Sequence, residues 1–311
     1  MSMKATRVAY GEWLAEAGAK HPDIVVVDAD LSASTMTIMF GARYPDRFFN
    51  VGSAEQNLVS FSAGLAHGGK RVFASSFAIF ETGRAWDQVR NLVAHDLLDV
   101  ALVASHGGFS CAADGASHQA LEDIALMRVI PNMRVLMPCD PEETRNALDA
   151  IMRSRGPFYM RLRREKEPAL EKSYEFTLGR GEVMRDGDDL TLVSSGMMVL
   201  SSLRAADTLA SRGLDARVLN IHTIKPLDSG ILVKAARETG AMVTVEEHQV
   251  TGGLGSAVCE TLSEAHPAPV YRLGVRDSFG QSSRTMDELL DLHGLTPGKI
   301  AASAENVIKK R

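Results

Sequence analysis

Glu55 stands inside "FFNVGSAEQNLVSFSAGLAHGGKRVFASSF" (Phe48 to Phe77). An apolar run ends there in Gly-Ser-Ala, and an Ala/Leu/Gly segment of helical character begins. A carboxylate at a helix start faces the positive end of the helix dipole. That contact is worth about 0.3–1 kcal/mol and accounts for the residue without any ligand. The surrounding segment is nearly uncharged, however, and a partly desolvated carboxyl has a raised pKa and can share or exchange a proton. Such a group suits a ligand whose ring nitrogen must be protonated. The following strand-like run ends in "SSFAIF". Phe77 and Phe80 there are ordinary core material, unless they face the tip carrying Glu55, where they would stack on a flat heterocycle.

A second cluster follows in "SHGGFSCAADGASHQ" (Ser105 to Gln119), with two histidines, an aspartate and three glycines in one stretch. It reads as a loop too small and polar to be core. A plain flexible loop is one account. The other is a polar substrate site made of His106, Asp114 and His118, with imidazoles able to move protons near neutral pH. A zinc site has less to recommend it, because the spacing is irregular and Cys111 pairs with no second cysteine in a usual motif. Arg7, Ser34 and Arg164 are of phosphate-binding type. Spacing alone does not join them, and the densest basic run is "YMRLRREK" (Tyr159 to Lys166). "TGGLGSA" (Thr251 to Ala257) lacks both the G-x-G-x-x-G spacing and a P-loop lysine, so it reads as a tight strand-to-helix turn.

The elements that must position these groups alternate regularly. "DIVVVDAD", "RVFASSF", "DVALVASHG", "MRVLMP" and "PFYMRLR" are short Val/Leu/Phe-rich runs, separated by helical segments such as "AWDQVRNLVAHDLL" and "DPEETRNALDAIMRS". The last opens with an N-cap aspartate, a first-turn proline and two acids, a strong helix start. Such alternation predicts βαβ units and a mostly parallel sheet. Between Arg164 and Arg185 it lapses into charged, irregular sequence. It then resumes through "DLTLVSSG", "DARVLNIHTIKPLD", "AMVTVEEH" and "PVYRLGV". The fold class is therefore α/β, with two tandem domains: a doubly wound domain over 1–168, a linker over 169–185 and a second α/β domain over 186–311. Ligands of doubly wound sheets lie beyond the carboxyl ends of the strands. That is where residues 28–35, 52–57, 77–80, 106–118 and 161–164 fall.

The totals narrow the function classes. A chain of 311 residues with 45% hydrophobic content fills two such domains. Its net charge of −5, with both signs interspersed, argues against a nucleic-acid groove. No apolar run reaches the roughly 18 residues of a membrane span. The N-terminus "MSMKATRVAYGEWL" carries no basic-then-apolar signal, and the three cysteines show no metal-like spacing. The expectation is a cytoplasmic protein with incidental thiols.

Taken in order, "GSAEQN", "SSF", "H-x7-DGASHQ" and "PNMRVLMPCDPEET" resemble the pyrimidine-binding domain of the transketolase family of thiamine-diphosphate enzymes. "VTVEEHQVTGGLGSAV" and "VRDSFGQSSRTMDELLDLHGLT" resemble that family's C-terminal domain. The resemblance spans essentially the whole chain. It lacks the GDG motif and following asparagine with which the family holds Mg²⁺ and the cofactor's diphosphate; "RDGDD" (Arg185 to Asp189) lies in the wrong context. The resemblance therefore implies the C-terminal subunit of a split transketolase. In that reading thiamine diphosphate is shared with a separate diphosphate-binding subunit that holds the Mg²⁺, and this chain has no metal site.

The same resemblance implies residue roles. Glu55 would hydrogen-bond N1′ of the cofactor's aminopyrimidine, with Phe77 and Phe80 stacking on that ring. The family's further aromatic does not align cleanly in "ETGRAW", so the place of Trp86 stays open. Arg7, Ser34, His106 and Arg164, or by a slip Arg163 or Arg161, would bind a sugar phosphate. Asp114 would read a substrate hydroxyl, and His118, with His106, would serve proton transfer. The implied activity is transfer of a two-carbon ketol unit between phosphosugars, by a homodimer alone or an α2β2 assembly with the partner. The alternatives are a 1-deoxy-D-xylulose-5-phosphate synthase-like enzyme, a 2-oxoacid dehydrogenase β-chain-like enzyme, or a non-catalytic partner subunit.

Overall fold

The computed structural model describes residues 3–170 and 174–309. Its strands, in chain order, are β1 (Met3–Ala5), β2 (Ile24–Asp28), β3 (Phe48–Asn50), β4 (Arg71–Ser75), β5 (Val100–Ala104), β6 (Arg134–Leu136), β7 (Phe158–Arg161) and β8 (Lys166–Pro168). After these come β9 (Glu182–Arg185), β10 (Leu190–Ser194), β11 (Ala216–Asn220), β12 (Thr223–Lys225), β13 (Met242–Gln249) and β14 (Val270–Val275). They form a seven-stranded sheet ordered β12-β6-β7-β5-β4-β2-β3 and a five-stranded sheet ordered β14-β13-β10-β11-β9. β1 and β8 make a separate antiparallel pair. No helix among the described residues is long and apolar enough to cross a membrane.

The continuous hydrophobic strands form the middle of the first sheet because both faces are covered. β2 and β5 are buried at every residue. On one face the helices Thr6–Lys20 and Pro141–Arg153 pack Trp13, Leu14 and Leu148 against Phe73 and Phe158. On the other, Glu55–His67 contributes Leu58, Val59 and Ala63. Asp140 caps its helix as its position predicts, accepting from the Glu143 backbone N–H at 2.7 Å. β2 pairs with both β3 and β4. The chain thus leaves β2 in one direction and returns on its other side, which opens a crevice at the carboxyl ends of β2 and β4.

Four features differ from the sequence expectation. The proposed linker ends in β9, which pairs antiparallel with β11, because an edge strand needs only one hydrogen-bonded neighbour and tolerates charged residues. "DARVLNIHTIKPLD" is two strands, and the second, β12, crosses over to pair with β6 of the first sheet. The segment before Glu55 is a half-buried edge strand rather than a buried one. "AWDQVRNLVAHDLL" opens with one short turn, Trp86–Gln88, and continues as a π-helix over Val89–Ala94.

The largest difference concerns Ser105–Cys111, all of it buried. The second domain packs over it, which the loop's own small and polar composition does not reveal. Phe109 donates its backbone N–H to Glu247 Oε1 at 2.7 Å, and its ring sits in the second domain's core. Arg161, at the end of β7, points into the same seam. Its Nη1 lies 3.6 Å from Asp123 and its Nη2 3.8 Å from Glu247, all three fully buried. The glycines here are steric necessities: a Cβ on Gly107 would lie 2.3 Å from Arg161 Nε, and one on Gly108 2.3 Å from Glu247. The "TGGLG" turn is explained similarly. Glu246 accepts from the Leu254 and Gly255 backbone N–H groups at 2.7 and 2.9 Å, and only a residue without Cβ fits at Gly253 beneath it.

Candidate functional site

Glu55 begins the helix Glu55–His67 and is 4% exposed. No side chain caps that helix, so the carboxyl turns inward, over the end of β4. Its Oε1 accepts from Ser76 Oγ at 3.4 Å, and its Oε2 pairs with Arg84 Nη1 at 3.0 Å. Phe77 and Phe80 open the next helix, with rings nearly parallel at 19° and centroids 5.8 Å apart. Phe77 in turn stacks on His106 at 3.8 Å, and His118 meets the Phe80 ring edge-on at 5.1 Å. The fold thus brings the carboxylate, both phenylalanines and both histidines into one continuous array.

Beyond His106 the array becomes cationic. Arg7 donates to the Ser34 carbonyl at 2.6 Å, while its Nε is buried without a partner among the described residues. Arg164 lies 3.4 Å from Asp114. Burial pushes the His106 imidazole down to about 3, with Arg7, Arg164 and His118 adding to the shift. Burial and the Arg164 charge likewise hold the Arg7 pKa below its ordinary value. Two arginines repelling each other beside a neutral imidazole form a place where an anion relieves the strain. Burial thus favours a neutral, hydrogen-bonding imidazole at His106, which accords with a phosphate-side role more readily than with proton transfer.

Arg161, Arg163 and Arg164 differ in their partners and exposure. Arg161 is committed to Asp123 and Glu247, and Arg163 to Glu167 and Glu247, so Arg164 is the half-exposed member beside Asp114. Trp86 donates its indole N–H to the Leu126 carbonyl at 2.9 Å and packs on the first domain's core. Three groups escaped the sequence reading. Arg84 lies in the segment "ETGRAW", and its guanidinium sits 4.0 Å over the Phe80 ring. Asp28, at the end of β2, accepts from Leu31 N, Thr35 Oγ1 and Thr37 Oγ1. Glu81 is wholly buried, and neither of its oxygens has a hydrogen-bond partner among the described residues.

The α/β domain that carries this array is followed by a second α/β domain with its own sheet. The family models agree: residues 2–168 match the transketolase pyrimidine-binding domain and residues 179–300 the transketolase C-terminal domain. The chain belongs to the transketolase family. It is 46% identical over 311 residues to a putative transketolase C-terminal section of Methanocaldococcus jannaschii, covering 99% of this chain and 97% of that one. It is 40% identical over 306 residues to the 6-deoxy-6-sulfo-D-fructose transketolase subunit SqwH of Clostridium sp. strain MSTE9, covering 98% and 95%. A solved split-gene transketolase, described as an inactive β4 tetramer, superposes with a TM-score of 0.91 at 46% identity, covering 98% and 99% of the two chains. A 1-deoxy-D-xylulose-5-phosphate synthase of Thermomicrobium roseum is 42% identical over 275 residues, which cover 87% of this chain and 43% of the synthase.

Proposed function

We propose that this chain is the pyrimidine-binding subunit of a split transketolase, moving a two-carbon ketol unit between phosphosugars only when a diphosphate-binding subunit completes the site. Thiamine diphosphate, when bound, supplies the electron sink for breaking the bond beside a ketose carbonyl. The residues fit its ring. The guanidinium of Arg84, itself a planar cation with N–H donors, already lies across Phe80 and against Glu55. In the complete enzyme Glu55 holds a proton at N1′ of the aminopyrimidine, and its burial keeps water from competing for that contact. Phe77 and Phe80 fix the ring plane by stacking. Arg7, Ser34, His106 and Arg164 take the substrate's anionic end, Asp114 accepts from a sugar hydroxyl, and His118 moves a proton at the substrate oxygen. The partner holds the diphosphate and its Mg²⁺ in an α2β2 assembly in the cytoplasm.

The observation that carries this reading is the buried Glu55 beside the Phe77–Phe80 pair. The test mixes the chain with the diphosphate-binding subunit, thiamine diphosphate and Mg²⁺. Neither subunit should turn over alone and the mixture should, whereas a mixture containing Glu55→Ala should lose at least about 100-fold in kcat, the order expected for losing a proton-transfer group. Full turnover by Glu55→Ala would sink the assignment. The relationship to 1-deoxy-D-xylulose-5-phosphate synthases favours a second reading, decided by the donor: pyruvate rather than a ketose phosphate would be consumed.

A further inference from the structure

The contact between Arg84 and Glu55 is lopsided. Glu55 is 4% exposed, whereas the Arg84 side chain is 54% exposed and projects from the last residue of the helix Ala78–Arg84. The guanidinium lies 4.0 Å over the Phe80 ring and reaches Glu55 Oε2 at 3.0 Å. An ordinary surface pair joins two solvated side chains and is worth little. Here a half-exposed cation covers an aromatic face and pairs with a buried carboxylate, whose other contact is a long hydrogen bond from Ser76. Those are the two groups that the aminopyrimidine needs under the function proposed above, on which this inference rests.

We propose that Arg84 is a positioning residue that holds the ring's place in the unpartnered chain and must leave both Phe80 and Glu55 for the cofactor to seat. Its departure leaves a buried carboxylate with one weak partner. Arg84 therefore stays until another planar N–H donor replaces it. Glu55 stays paired while the site is empty, and Arg84 competes directly with the cofactor's ring.

Thiamine, which carries the pyrimidine ring without the diphosphate that the partner grips, isolates this competition in the intact chain. Calorimetric titration of the wild type, Arg84→Ala and Arg84→Lys should show the alanine variant binding thiamine about 3–10-fold more tightly than the wild type, with lysine between them. In arginine-labelled wild type, the Arg84 Nε signal, assigned by its loss in Arg84→Lys, should shift on adding thiamine; in Glu55→Gln it should already be displaced without thiamine. The lysine variant keeps the charge at the helix end and guards against misreading a folding defect. Equal or weaker thiamine binding by Arg84→Ala overturns the proposal. So does an absence of binding by every variant while the mixture with the diphosphate-binding subunit turns over, and the functional reading then stands. No binding together with no turnover in the mixture removes the functional reading, and this inference with it.

Discussion

Replacing Glu81 with glutamine should stabilise the first domain, increasingly so as the pH rises. Glu81 is fully buried on the helix Ala78–Arg84, and its oxygens have no hydrogen-bond partner among the described residues. Burial drives its pKa well above the ordinary 4.5. The nearby Ser76 backbone N–H opposes the shift in part, and the charges of Asp28 and Glu55 add to it. A carboxyl protonated in the fold but ionised in the unfolded chain favours folding only while both states keep the proton. That condition holds below pH 4.5, and the contribution is lost as the pH climbs toward the folded-state value. Across that window each pH unit removes about 1.4 kcal/mol. Between pH 5 and pH 7 the wild type should thus lose stability relative to Glu81→Gln, which cannot ionise, by up to about 1.4 kcal/mol for each pH unit below the folded-state value. With an m-value of roughly 2–3 kcal/mol/M in urea, each such unit opens a midpoint difference of up to about 0.5 M.

Trp13 and Trp86 both lie in the first domain, so tryptophan emission during urea unfolding reads the domain that holds Glu81. The slope of the difference with pH is the decisive quantity, because any constant gain or loss from the amide's own contacts cancels in it. A difference that stays flat from pH 5 to pH 7 would show that Glu81 keeps its charge in the fold. The electrostatic account of the crevice would then be wrong.

Two further outcomes follow from the same seam and rim. Arg161→Leu leaves Asp123 and Glu247 buried without their shared cation, at a cost of about 3–5 kcal/mol. At roughly 2 °C per kcal/mol for a chain of this length, thermal unfolding followed by circular dichroism should move down by about 6–10 °C; a shift below about 2 °C would contradict the bridging role. His106, held near 3 by burial and by Arg7, Arg164 and His118, should show imidazole NMR shifts that stay constant from pH 5 to pH 8. A midpoint inside that range would remove the argument for a neutral ring at the anion site.

The alternation of apolar runs and helical segments was enough to read off the two α/β domains, because strands covered on both faces must be apolar throughout, as β2 and β5 are. The traffic between the domains left no such mark. β12 is three residues long and pairs with β6 by backbone hydrogen bonds, which any side chains permit. Arg161, Asp123 and Glu247 look like surface charges in sequence because local composition does not say that three charges from distant segments will neutralise one another. Gly107 and Gly108 could have hinted at the seam, since two adjacent glycines after a buried strand often mark a close approach of other groups.

In the site, the residues with an unusual type at a strand end were legible and those that act through a neighbour were not. Glu55 stood out because it was the lone charge in an apolar stretch; Arg84 did not, because a cation in the last turn of a helix is accounted for by the helix dipole alone. Yet each is intelligible only through the other. Glu55 can be nearly buried in the unpartnered chain because Arg84 supplies a counter-charge from solvent, across the same Phe80 face on which a flat ring would rest. The seam has a comparable effect on His106. Glu247, reaching over from β13, ties down the loop through Phe109, and that packing buries the imidazole that stacks on Phe77. The second domain thus shapes this part of the site by packing behind it. Loss of Glu247 should therefore be felt first as disorder in Ser105–Cys111, before any change at Glu55.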